Sequence, residues 1–146
     1  MNGWKDNRNG YTFIEMMIVL LVVSIFLGAG VFSLRTFYET VQTRSFLKSL
    51  KKDLYFTQQT AVSTESFVSL VFHQGHTYII RDGVKSLKKV TYPDHVSVEP
   101  YSMPLTITYN GRGNISQGGT LVIRANQKRF HLVFQLGKGR FYIDER

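Results

Sequence analysis

Residues 9–21 read NGYTFIEMMIVLL, and the single carboxylate in them decides how the rest of the chain is taken. Glu15 stands at the entrance of an apolar run, Met16–Leu34, that is broken only by Ser24, Gly28, Gly30 and Ser33. At about 1.5 Å per residue, that run is roughly 28 Å long as a helix, close to the hydrocarbon thickness of a bilayer. A charge in such surroundings is costly and usually marks function. Either Glu15 stays at the interface or something in a final assembly neutralises it. The plainer reading, a buried core helix, fits less well, because such helices are usually shorter and apolar on one side only.

The 146 residues leave room for one domain and an appendage, and 43% hydrophobic with 14% aromatic content supplies a packed core rather than a disordered chain. The formal net charge of +8 points to nucleic acid, anionic lipid or an acidic partner and is silent on fold. The chain has no cysteine, which removes disulfides, thiolate metal sites and thiol nucleophiles together.

Two membrane routes fit the N-terminus. In an ordinary secretory signal, Lys5 and Arg8 give the basic start and Gly28-Ala29-Gly30 the small-residue cleavage site. That route frees a secreted β-rich binding module beginning near Val31. The other route cuts before the apolar run, between Gly10 and Tyr11. Here KDNRNG followed by YTFIEMMIVLLVV resembles the class III leader of type IV pilins and pseudopilins. The matching elements are a short basic leader ending in Gly10, an aromatic Tyr11 where the family usually has Phe, then Thr12 and Glu15. The resemblance implies that a membrane aspartic peptidase (the prepilin peptidase) cuts after Gly10 and methylates the new amine of Tyr11. It also implies that Glu15 pairs with the terminal amine of a neighbouring subunit during filament assembly. A carboxylate in a low-dielectric site wants such a cationic partner.

After Arg35 the pattern becomes one-sided. At about 100° per residue, Leu47, Leu50, Leu54 and Ala61 share one stripe, with Phe46 at its edge, which should pack on a globular core. Arg44, Lys48, Lys51 and Lys52 lie opposite, on a side shared by Phe37 and Val41. Those two are candidate filament contacts on an otherwise solvated face. With no Pro or helix-ending Gly between Val31 and Val62, one helix over about 12–62 is expected. From Ser66 the period becomes strand-like. SFVSLVF and HTYIIR flank Gln74-Gly75 as a hairpin, and Asp82-Gly83 marks another turn. HVSVEP, LTITYN and GTLVIR follow; Asn126-Gln127 then leads to RFHLVFQL, and GRFYIDE closes the chain. Six to eight short antiparallel strands in one or two layers, covered by the helical stripe, make an α+β fold. The expected division is a leader over 1–10, a membrane-spanning segment over 11–34, its amphipathic continuation over 35–62 and a β-rich domain over 63–146. The run Tyr109–Ile143 also resembles minor pseudopilins of the GspH/FimT kind, and the absence of cysteine with a short basic leader is similar to competence pseudopilins of Gram-positive bacteria.

Catalytic signals are thin. His73 and His76 flank a predicted turn, but no carboxylate or third His lies near in sequence to complete a metal site, and His95 and His131 are isolated. GKGR at 137–140 lacks the P-loop spacing, and no other nucleotide or hydrolase motif occurs. No enzyme, metal, cofactor or small-molecule substrate is expected. Cations gather instead near the last hairpin, at Arg124, Lys128, Arg129, Lys138 and Arg140, beside Tyr109, Phe141 and Tyr142. Charges among rings suit sequence-neutral contact with single- or double-stranded DNA, and equally keep strand edges soluble. The resemblance raises the DNA reading, since competence pili act in DNA uptake. The expectation is therefore a minor pseudopilin, made as a single-pass precursor in the cell membrane with its N-terminus inside and then carried to the cell surface in a pilus-like filament. It would assemble with other pseudopilins and serve DNA uptake. A type II secretion pseudopilin would share everything up to about residue 62.

Overall fold

The computed structural model describes residues 11–137 and 139–145, and of 29–34 the backbone alone. One helix, α1 (Phe13–Thr64), is followed by eight strands: β1 (Val68–His73), β2 (Thr77–Asp82), β3 (Lys85–Thr91), β4 (Val96–Pro100), β5 (Thr106–Tyr109), β6 (Gly119–Ala125), β7 (Lys128–Phe134) and β8 (Phe141–Glu145). Chain contacts divide the molecule into a unit that ends at Tyr38 and a second, Glu39–Arg146, that holds the rest of α1 and all the strands.

Both ends of α1 are built locally. At the start, the Glu15 amide bonds the Thr12 carbonyl at 3.1 Å and the Thr12 hydroxyl at 3.4 Å, so Thr12 caps the first turn. At the finish, Glu65 takes a left-handed conformation (φ 50°), and the Ser66 amide reaches back to the Ala61 carbonyl at 3.2 Å. This is the Schellman arrangement, with Glu in the position where Gly is usual. Gly111 makes room for it, since a Cβ there would come within 2.7 Å of the Glu65 backbone.

The strands form two antiparallel sheets of four, ordered β3-β2-β1-β5 and β4-β6-β7-β8. Strand alternation turns Leu70, Tyr78, Ile80 and Ile107 of the first sheet and Leu121, Ile123, Leu132 and Phe134 of the second into one core cluster shared with Phe46, Leu50, Leu54 and Ala61 of α1. The buried side of α1 is centred differently from the apolar stripe read in sequence. Phe46 lies well inside it, against Tyr92 with ring centroids 4.9 Å apart, while Leu47 is only partly buried. Thr43, Asp53 and Thr57 share the buried side, because their polar groups have partners there: Thr43 and Thr57 donate to the Glu39 and Asp53 carbonyls one turn back in α1, and Asp53 accepts from Tyr78. β3, which sequence patterning does not single out, is an edge strand that exposes Lys85 and Lys89 to water, while Lys88 turns its amine to Asp53.

Candidate functional site

Two regions carry the residues singled out in the sequence. The first is the start of α1. Glu15 falls in the first helical turn, where exposed amides and the helix dipole favour a negative charge. Tyr11 is 79% exposed. Every apolar side chain from Phe13 to Leu27 stands exposed, on all sides of the helix. Water is a poor solvent for such a surface, and an extended apolar face of this kind marks contact with protein or membrane. Among the described residues no helix is long and apolar enough to cross a membrane; α1 continues through 29–34, whose side chains are not described. Gly10, the residue before the expected cut, lies outside the described residues, as do Lys5 and Arg8. Phe37 and Val41 are exposed, on the sides of α1 that the sequence assigns to them.

The second region is the last hairpin. The register sets Arg124 opposite Arg129 across β6 and β7, both on the outward face of their sheet. Arg124 Nε bonds Glu99 Oε2 at 3.1 Å, which offsets the like-charge pairing. Lys128 has the opposite parity and pairs with Glu145 at the end of the sheet. Arg140 is exposed at the other end, where its carbonyl accepts from the Gln135 amide. Counting along β7, that is roughly 20 Å from Arg129. Lys138 lies outside the described residues. The structure therefore brings Arg124 and Arg129 together, engages Arg124 and Lys128 with carboxylates, and sets Arg140 apart.

The histidines have separate partners. His73 Nε2 accepts from Arg81 at 3.2 Å. His76 Nδ1 faces the Val96 carbonyl at 3.0 Å, so its proton sits on Nδ1. His95 Nε2 lies 3.1 Å from the Glu39 carbonyl and 3.0 Å from the Thr43 hydroxyl, so it is the protonated nitrogen and ties the loop before β4 to α1.

One polar cluster escapes the sequence reading. Asp53 is buried, accepting from Tyr78 at 2.7 Å and from Lys88 Nζ at 2.6 Å. Burial, then the bond and charge of Asp53, push the Tyr78 phenol far above its ordinary range. Burial likewise raises Tyr109 and Tyr92. The signal was present in the helical angle of Asp53, which at about 100° per residue falls roughly 20° from that of Phe46 on the buried side.

The Prokaryotic N-terminal methylation motif matches residues 5–31. Over 147 aligned residues, all of each chain, the protein is 26% identical to the Competence protein ComGD of Bacillus subtilis (strain 168). In structure it is similar to the type IV minor pilin FimU of Pseudomonas aeruginosa (strain PAO1), with a TM-score of 0.59 and 18% identity over 69% of this chain and 91% of that one. A second crystal form of FimU gives the same score at 19% identity, with 87% of its chain covered. The motif, the full-length relative and the fold, a long N-terminal helix packed on antiparallel sheets, together support a ComGD-like minor pseudopilin.

Proposed function

We propose that the chain enters the cell membrane as a single-pass precursor, is cut between Gly10 and Tyr11 by a prepilin peptidase, is methylated on the Tyr11 amine and is built through α1 into a type IV pilus-like filament that serves DNA uptake in competence. The observation that carries this reading is the exposed apolar surface of the first half of α1, headed by Glu15 in its first turn. A monomer in water has no use for such a surface, whereas a subunit stored in a bilayer and then packed among helices has two. Glu15 would then meet the terminal amine of a neighbour, and Phe37 and Val41 would touch adjacent helices. The competence assignment rests on the full-length similarity to the competence protein of Bacillus subtilis. Direct contact with DNA would fall first to Arg129 and Arg140, which have no ion-pair partner among the described residues, with Lys138 beside them in sequence.

The test is the mass and first residue of the mature protein, purified from cells that express the matching peptidase. A start at Tyr11, with or without one methyl, is expected; a start near Val31 would show ordinary secretion and overturn the proposal. Transformation frequency in cells lacking the chain tests the DNA-uptake part. An unchanged frequency would reject that part and leave a protein-secreting filament.

A further inference from the structure

Within the unit Glu39–Arg146, one side of α1 remains uncovered. At about 100° per residue, Val41, Arg44, Lys48, Lys51, Lys52, Tyr55, Gln59 and Val62 fall in an arc of roughly 100°, and all are exposed. The arc lies opposite the buried side formed by Phe46, Leu50, Asp53 and Thr57. Its four cations occupy about 12 Å of helix, and none has an acidic partner among the described residues. Beyond Glu15, the acids of α1 are Glu39 and Asp53, both turned to other sides. Apolar groups close the row at each end, with Val41 on one side and Tyr55 and Val62 on the other. Tyr55 and Val62 also border a hollow of about 530 Å³ whose far wall is Arg112, Gly113 and Asn114.

We infer that this stripe is the contact surface for a different subunit of the same filament, one that presents a row of carboxylates flanked by apolar side chains. The inference rests on the filament reading above and adds the chemistry of the partner. A second copy of this chain does not fit. Stripe against stripe would set four cations against four, and like charges in register oppose association. Among the described residues beyond α1, Glu99 and Glu145 are matched by Arg124 and Lys128, Asp82 accepts from Ser66, and the exposed Glu65, Asp94 and Asp144 stand on three separate segments, one after α1, one before β4 and one in β8; Asp53 of α1 is buried. A phosphate backbone would satisfy the cations, yet it would bury neither the exposed Val41 and Val62 nor the hollow beside Tyr55. An acidic, partly apolar protein face does both.

Carbodiimide crosslinking reads this contact, because it joins a lysine amine to a carboxylate in direct contact. Filaments would be taken from cells expressing the full chain with its partner subunits, and the mature N-terminus would be measured in the same preparation. Crosslinked peptides should join Lys48, Lys51 or Lys52 to Asp or Glu of a different polypeptide. The variant K48E/K51E/K52E should be processed normally and incorporated roughly tenfold less, as expected for three reversed ion pairs of modest strength. Crosslinks to copies of the same chain would overturn the inference, as would full incorporation of the reversed variant. If reversal removes DNA retention while incorporation is intact, the stripe is a nucleic-acid surface and the inference fails. A mature start other than Tyr11 rejects the filament reading itself, and this inference with it.

Discussion

Replacing Tyr78 with Phe removes one hydroxyl and tests whether α1 is held to its sheet by the buried carboxylate of Asp53. The bond is 2.7 Å long and runs to a charged acceptor that is itself only 4% exposed. A hydrogen bond to a charged group in that setting contributes about 2 kcal/mol, and the carboxylate left behind keeps Lys88 on its other oxygen. The Lys88 side chain is 45% exposed, so water already shares its charge and the remaining pair replaces only part of what is lost. With a urea dependence of about 1–2 kcal/mol per molar for a domain of this size, the midpoint should fall by about 1 M or more. Equilibrium unfolding of the full chain in a mild detergent, followed by tyrosine fluorescence and circular dichroism, measures it. The discriminating step is a double-mutant cycle with Asp53→Asn. Coupling of about 1 kcal/mol or more is expected, since the two side chains act on each other directly. Coupling under about 0.3 kcal/mol would show that the phenol acts by packing alone, and the reasoning would fail.

Four further outcomes follow from the same structure. Tyr109→Phe removes a buried hydroxyl that has no hydrogen-bond partner among the described residues, so it should be neutral or stabilising by up to about 1 kcal/mol in the same assay; a clear loss would show that the hydroxyl is bonded. Tyr78, Tyr92 and Tyr109 all have phenols raised by burial. Their folded-state values therefore exceed the unfolded value near 10, and the stability they supply is complete below about pH 10 and lost as pH rises beyond it, by up to about 1.4 kcal/mol per unit for each. A urea midpoint that falls no faster in the parent than in Tyr78→Phe above pH 10 would contradict this. Gly139 has φ 64°, and a Cβ there would stand 2.6 Å from the Gly113 carbonyl, so Gly139→Ala should cost about 2 kcal/mol or more; an unchanged melting temperature would reject the packing of the two loops. Glu15→Leu should leave the precursor processed, by mass, and absent from sheared filaments; normal filament content would remove Glu15 from assembly.

Much of the architecture was legible because short-range chemistry fixes it. Gln74-Gly75, Asp82-Gly83 and Asn126-Gln127 each sit at a hairpin in the observed register, where left-handed backbone is needed at Gly75, Gly83 and Asn126. The continuous helix followed from the lack of breakers. β3 stayed hidden because an edge strand has little to bury, and KSLKKVT offers only Leu87 and Val90 to the core. The insertion of β1 between β2 and β5, and of β6 between β4 and β7, is a long-range pairing that no local pattern encodes. The buried side of α1 was misjudged in angle because hydropathy ignores polar groups with partners, and Thr43, Asp53 and Thr57 all have them. At the basic hairpin, sequence brought the cations together, but strand parity separates Lys128 from Arg124 and Arg129, and strand length separates Arg140 from both.

The fastenings along the second half of α1 have a mechanical consequence. Thr43 is tied to His95, Asp53 to Tyr78 and Lys88, Gln58 to the Gly113 carbonyl, and Tyr55 rests on Phe141. They are spread over four turns of the helix and end on different parts of the domain. A pull directed along this part of the helix axis would load them in shear and in parallel, so that none could yield alone as the teeth of a zipper do. Tension arriving through the helix would be shared by both sheets, and the rupture force of the domain should exceed what any one of these contacts could bear.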